Sequence, residues 1–291
     1  MTKNLTTILK SKTKTVRVSR DLPTTMIGER INPTGRKVVM EALQAGNFDI
    51  VRKDALSQVD AGAAVLDVNA GVPDADEPTL LREMITTVTA TVDVPLCIDT
   101  ANHEALRTAL SVYEGKALVN STNGEEHNLN AILPLVKDHG AAVIGLCMDD
   151  SGIPDTAEKR LRVAAHIIER ATRAGIALED VIIDPLAMSM GSDSWAGKVI
   201  LDTIMLVTKE FGVNISMGAS NVSFGVPDRK YINAAFLAMA IHAGVTCPIT
   251  NPLISEVAIT VLAADLAMGR DEYAMHWIKA FRKREKAKRL E

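Results

Sequence analysis

From Thr24 onward the chain alternates two spacings of apolar residues. Short β-branched runs end in polar loops, and longer stretches follow in which apolar residues recur at offsets of three and four. The first spacing belongs to a buried strand and the second to an amphipathic helix. Eight runs read as strands, at 24–31, 63–71, 95–100, 116–122, 141–149, 181–188, 215–225 and 246–253. Helical spacing falls between them, through Gly62, near 77–92, from about His103, near 127–139 and over 155–175. In the last of these stretches Asp155 is placed to cap with Glu158, while Leu161, Ala164, Ala165, Ile168 and Ala171 form an apolar stripe and Gly175 a stop. His166 reads as a surface or packing histidine of this helix.

Strands alternating with helices predict parallel βαβ units, and eight units in about 250 residues predict a closed (β/α)8 TIM barrel over residues 23–270. A doubly wound dinucleotide sheet needs a Gly-x-Gly-x-x-Gly turn after its first strand. Here that place reads Gly28-Glu29-Arg30-Ile31-Asn32, and no Walker sequence occurs. Residues 1–22 read as a basic extension packed outside the main fold, with short strands as one option and with Lys3, Lys10, Lys12, Lys14, Arg17 and Arg20 on a solvated face. Residues 271–291 form a basic helix or tail with seven Lys and Arg from Lys279 to Arg289. Such cations complement a helix C-terminus and stay in water; the sharper reading is a docking surface for an acidic partner protein.

Composition narrows the class without naming a chemistry. With 47% hydrophobic and 23% charged residues the chain resembles an ordinary globular enzyme, and a net charge of −4 gives no general reason to expect nucleic acid. No run approaches the roughly 18 apolar residues of a membrane span, and the N-terminus lacks a signal-peptide core, so the cytoplasm is the expected location. Cys97, Cys147 and Cys247 are far apart in apolar runs and read as reduced core thiols. Neither Cys-x-x-Cys nor His-x-x-x-His occurs, so no metal site is expected.

Barrel enzymes carry function at the C-terminal ends of their strands. Those ends hold Glu29, Arg30 and Asn32, then Asp67 and Asn69, Asp99, Asn120 and Asn123, Asp149, Asp184, Asn221 and Asn251. Singly, each could be a loop or helix cap. Together they make a set rich in carboxylates and carboxamides, with no His, Ser or Cys poised as a nucleophile, which excludes an acyl-transfer triad. A magnesium site or a glycosidase pair remains conceivable, yet the chain has only two Trp to make a sugar platform. Carboxylates and carboxamides suit a planar heterocycle whose edge alternates donors and acceptors.

The runs IGERIN, LDVNAG, LCIDT, VNSTNGE, DHGAAVIGLCMDDSGIP, IIDPL and GASNVS, in order along roughly residues 24–270, resemble the methyltetrahydrofolate:corrinoid protein methyltransferases. These are pterin-binding barrels, similar also to the folate domain of cobalamin-dependent methionine synthase and, more distantly, to dihydropteroate synthase. The resemblance implies a methyl group moved between nitrogen 5 of tetrahydrofolate and the cobalt of a corrinoid (cobalamin) carried by a partner protein, in a homodimeric enzyme. It implies that Asp99, Asn120 and Asp184 hold the pyrimidine edge and that Asn221 approaches nitrogen 5. It further implies that Gly218 lets the backbone sit close to the ring, Arg229 meets the outer part of the substrate, and Asp67 and Asn69 line or support the pocket floor. Some members carry Gln three residues after the Asn; this chain has Phe224.

Three alternatives stand beside this reading. Dihydropteroate synthase relies on a Lys near strand seven and an Arg-x-His at strand eight, where this chain reads SNVSFG and CPITNP. A non-catalytic subunit binding folate or a corrinoid protein would have no need of Asn221 beside the other pocket residues. Metal-dependent aldolase-like chemistry is the third.

Overall fold

The computed structural model describes residues 4–288. Among these residues the strands are β1 (Thr7–Lys10), β2 (Thr15–Val18), β3 (Ile27–Ile31), β4 (Val65–Asn69), β5 (Leu96–Asp99), β6 (Leu118–Asn123), β7 (Ala142–Leu146), β8 (Val181–Asp184), β9 (Ser216–Gly218) and β10 (Cys247–Thr250). The helices are α1 (Lys37–Gln44), α2 (Asp49–Asp60), α3 (Glu77–Thr91), α4 (His103–Val112), α5 (Glu126–Asp138), α6 (Ala157–Arg173), α7 (Ala196–Phe211), α8 (Arg229–Ala243), α9 (Ser255–Ala267) and α10 (Met275–Lys288). No helix among the described residues is long and apolar enough to cross a membrane.

Strands β3 to β10 pair in parallel in the order β8-β7-β6-β5-β4-β3-β10-β9. The two edges meet at a parallel bridge between Ile183 and Ile215, supported by the Ile183 N–H donating to the Asn214 carbonyl at 3.0 Å. The sheet is therefore the eight-stranded α/β barrel the alternation predicts. Side-chain alternation divides its core. Val65, Cys97, Leu118, Ile144, Ile182 and Cys247 fill the interior, while Leu66, Ile98, Val119, Val143 and Ile183 face the helix ring. The three cysteines are free and buried.

The N-terminal segment is more than an outlying extension. Hairpin β1–β2 closes the N-terminal end of the barrel, and its Leu9 and Val18, both fully buried, join the interior cluster. The buried amide of Asn214, just before β9, donates to Thr7 Oγ1 at 2.9 Å and to the Val18 carbonyl at 3.0 Å. On the far side Lys10 exchanges backbone hydrogen bonds with Lys116, and the Tyr113 hydroxyl donates to the Lys10 carbonyl at 2.8 Å. The outward positions Lys10, Lys12, Lys14 and Arg17 do face water, whereas Lys3 lies outside the described residues.

Other departures are local. The cap of α6 is Thr156, accepting from the Lys159 N–H at 3.3 Å, while Asp155 pairs with the Lys159 ammonium at 2.7 Å. The long run at 215–225 gives only the three-residue β9, followed by a 3-10 turn over Ala219–Ser223. Helix α10 buries no side chain. Its Lys283 pairs with Asp60, its Arg284 guanidinium lies 5.7 Å from the Trp277 ring, and Arg289 falls outside the described residues.

Truncating the hairpin plug tests its contribution. Leu9→Ala is expected to lower stability by about 2–5 kcal/mol, the cost of a cavity in a packed core, as read from urea unfolding of the two proteins.

Candidate active site

The alternation that fills the barrel also builds its mouth. Two positions above each interior residue, the same face continues past the end of the apolar core. Ile27 is followed by Glu29, Val65 by Asp67 and Asn69, Cys97 by Asp99, Leu118 by Asn120, and Ile182 by Asp184. Register aligns them: Asp99 sits opposite Asn69 on one neighbour and Asn120 on the other. These side chains surround a 530 Å³ cavity whose lining includes Glu29, Asp67, Asp99, Asn120, Asp184, Gly218, Asn221 and Arg229, with Leu146 and Ile249 as apolar floor. Larger hollows lie beside residues 149–155 and beneath α10, away from this row of carboxylates.

Within the cavity Asn120 Nδ2 donates to Asp67 Oδ1 at 3.2 Å, and Asn69 Nδ2 donates to Asp99 Oδ2 at 3.0 Å. Asn69 itself does not line the cavity; it orients Asp99 and accepts from the Gly71 N–H at 2.8 Å. Burial drives the Asp67 carboxyl well above its ordinary range, and the adjacent Asp99 charge adds to this. Burial likewise raises Asp99 to about 6, against the hydrogen bonds that favour its charge. The pair behaves as two carboxyls in one dry site, where ionising both is unfavourable. Asp184 is raised to about 7 by burial, opposed by hydrogen bonds from the Leu186 and Gly218 N–H groups and by the charge of Arg160. Three buried carboxyls thus stand at the mouth, none in an ion pair with a cation among the described residues and each with acceptor capacity beyond its present hydrogen bonds.

Arg160 is a residue that sequence reasoning missed. It is 3% exposed, and its guanidinium donates to the carbonyls of Pro154, Pro185 and Leu186 at 2.7–2.9 Å. It thereby fixes the loop after β8, in which Leu186 takes φ of 63° and turns its N–H onto Asp184 Oδ1 at 2.7 Å. The available signal was its position: an arginine four residues before Ala164, on the buried stripe of α6.

Asn221 reaches the mouth from the 3-10 turn and not from a strand. A Cβ built on Gly218 would lie 2.8 Å from Asn221 Nδ2, so the absent side chain makes room for the amide. Arg229 braces this turn, donating from Nη2 to the Ser220 carbonyl at 2.6 Å and from Nε to Ser223 Oγ at 3.0 Å. Phe224 is 70% exposed, with the Arg229 guanidinium 5.8 Å from its ring. Among the described residues the Asn221 side-chain amide has no hydrogen-bond partner, while its exposed side chain lines the cavity.

Of the remaining strand-end groups, Arg30 lines the cavity beside Glu29 and Asn32, and three others are engaged locally. Asn123 accepts from the Glu125 N–H, Asp149 from Ser151, and Asn251 from the Leu253 N–H. Asn32 lines the cavity, though its Oδ1 accepts from the Thr34 N–H at 2.8 Å. Glu29, among the strand ends in the sequence but given no role there, is a cavity residue whose Oε1 accepts from Ser220 Oγ at 2.9 Å. Among the described residues no group of three His, Cys, Asp or Glu is placed to hold a metal ion.

Comparison with known proteins bears on the family and the fold. A methylcorrinoid:tetrahydrofolate methyltransferase of Eubacterium limosum is 29% identical over 262 residues, which is 88% of this chain and 96% of that protein. The methionine synthase of Mycobacterium leprae is 28% identical over 239 residues, covering 78% of this chain but only 20% of that much longer protein. Among solved structures, dihydropteroate synthase from Xanthomonas albilineans in complex with 7,8-dihydropteroate superposes with a TM-score of 0.69 at 19% identity, over 90% of this chain and 99% of that one. The Yersinia pestis enzyme with a pterine-sulfa conjugate gives 0.68 at 18% identity over 90% and 99% of the two chains. At these identities the structures show the shared barrel alone. The sequence pattern of the pterin binding enzymes matches residues 28–251, from the first barrel strand to the residue after the last, and the chain belongs to that family.

Proposed function

We propose that this chain transfers a methyl group between nitrogen 5 of tetrahydrofolate and the cobalt of a corrinoid carried by a partner protein. The observation that carries the reading is the unpartnered Asn221 amide, held by the braced turn at the mouth of a cavity floored by Asp99, Asn120 and Asp184. The Eubacterium limosum relative, whose name specifies these two substrates, supports it.

In this reading the pyrimidine edge of the pterin lies against the carboxylate row. A carboxylate accepts two N–H groups from a ring amide and its exocyclic amine, which restores the hydrogen bonds that burial denied it. Asn120, fixed by Asp67, matches a mixed edge. Orientation at that end leaves nitrogen 5 facing β9 and the Asn221 turn. A tertiary amine is a poor leaving group that improves as it gains a proton or a strong hydrogen bond. The Asn221 amide favours the protonated amine over the neutral one, so it stabilises the transition state more than the bound substrate. The reduced corrinoid supplies the nucleophile that accepts the methyl group. The same contacts serve transfer in either direction, because both share one transition state.

Mixing the protein with methyltetrahydrofolate and reduced corrinoid protein, or with the reverse pair, and following the corrinoid spectrum tests the reading; no spectral change in either direction overturns it. Asn221→Ala is expected to slow transfer by more than about tenfold while folate affinity stays within a few-fold, measured by single turnover and equilibrium titration. Gly218→Ala is expected to fold normally but to displace the Asn221 amide, so that transfer falls and the melting temperature does not. Folate affinity is expected to weaken as pH falls from 8 to 5, because Asp184, raised to about 7, and Asp99, raised to about 6, take up protons that ring N–H donors must displace. Titration calorimetry checks this, and Asp184→Asn should weaken binding and remove the upper part of the dependence.

A further inference from the structure

Methyl transfer from nitrogen 5 leaves that atom needing a proton, which an amide does not supply. Resting on the methyl-transfer reading above, we propose that Glu29 delivers this proton to nitrogen 5 and removes it when the reaction runs in reverse.

The cavity offers four carboxyl groups, and three are committed elsewhere. Asp67 and Asp99 are tied to Asn120 and Asn69, and Asp184 accepts from backbone N–H groups. Glu29 alone is anchored through its side chain to the turn that carries Asn221. Ser220 Oγ donates to its Oε1 at 2.9 Å, Ser220 directly precedes Asn221, and Oε2 has no partner among the described residues. The backbone is shaped for this aim. Pairing of β3 with β4 shifts register between Gly28 and Ile31, a bulge of the kind that re-aims a side chain beside a site. The fully buried Gln58 holds the bulge, its Oε1 accepting from the Arg30 N–H at 2.8 Å. A Cβ on Gly28 would fall 2.5 Å from that same oxygen, so Gly28 is what admits the brace.

The charged groups facing Glu29 are Arg30 on its own strand, Arg229 from α8 and Asp67 from β4. Burial raises the Glu29 carboxyl above its usual range, while Ser220, Arg30 and Arg229 hold the rise in check. A carboxyl shifted in this direction keeps its proton to higher pH than a free glutamate, which suits a group that must give a proton up and take it back. The step balances. The bond from nitrogen 5 to the methyl carbon breaks and leaves its electron pair on nitrogen. The reduced corrinoid provides both electrons of the new carbon–cobalt bond. The proton passes from the Glu29 carboxyl to nitrogen 5, and solvent at the mouth reprotonates the carboxylate.

Single-turnover rates in both directions across pH test the proposal. In the wild type, transfer from methyltetrahydrofolate falls as pH rises through the Glu29 titration, and the reverse transfer rises through the same range. Glu29→Gln is expected to slow both by about tenfold or more and to flatten both limbs, with folate affinity within a few-fold. Ser220→Ala should move the limbs to higher pH, since the lost hydrogen bond favoured the ionised form. Infrared difference spectra of the substrate-free protein recorded across pH should show a titrating protonated-carboxyl band that Glu29→Gln removes. Wild-type rates and limbs in Glu29→Gln, or unmoved limbs in Ser220→Ala, overturn the role of Glu29 alone. Absence of transfer by the wild type overturns the methyl-transfer reading, and Glu29 with it.

Discussion

The strands of a closed barrel have one inward face, and every second residue must occupy it. Below the mouth that face is apolar because it packs against itself without water. Above, the same face meets solvent or ligand, and Glu29, Asp67, Asp99, Asn120 and Asp184 stand there in line with Ile27, Val65, Cys97, Leu118 and Ile182. A one-residue slip of any strand would turn its carboxylate into the helix ring and an outward apolar residue into the cavity. Core packing and the site therefore depend on one register.

That arrangement has an electrostatic cost. Asp67, Asp99 and Asp184 are withdrawn from water without a paired cation, and their acidities shift upward in consequence. An apolar mouth would give a more stable free protein, but it would have no acceptors for a donor-rich ring edge. In the proposed reading this loss of ground-state stability is what a preorganised binding site costs. The second layer limits the loss: Asn69 and Asn120 donate to carboxylates, and Arg160 fixes the loop whose N–H groups face Asp184.

The opposite side of the cavity follows a different rule. There the strand is short, and a tight turn carries Asn221, kept in place by Arg229 and cleared by Gly218. A floor of strands and a wall of braced turn divide the cavity, and in the methyl-transfer reading proposed above the floor orients the ligand and the wall meets its reactive edge. Glu29 on its bulge joins the two, since it belongs to the strand row and bonds to the turn.

The sequence by itself determined the eight strand–helix units, their order and the polar character of their C-terminal ends, because the spacing of apolar residues is written locally. It could not separate Asp99 or Asp184 from Asn123, Asp149 and Asn251, which share the same strand-end pattern but spend their polar groups on the next loop. Nor could it show that the hairpin plugs the barrel with Leu9 and Val18, since its partners Tyr113, Lys116 and Asn214 are distant in the chain. The run at 215–225 looked like one strand; tertiary contacts to Arg229 and Ser189 fold its second half into a turn. Arg160 carried no role in the sequence, because the Pro185 and Leu186 carbonyls that hold it are brought near only by packing. Periodicity is a property of neighbours along the chain, whereas which polar groups remain free for a ligand is decided by partners that only the closed barrel brings together.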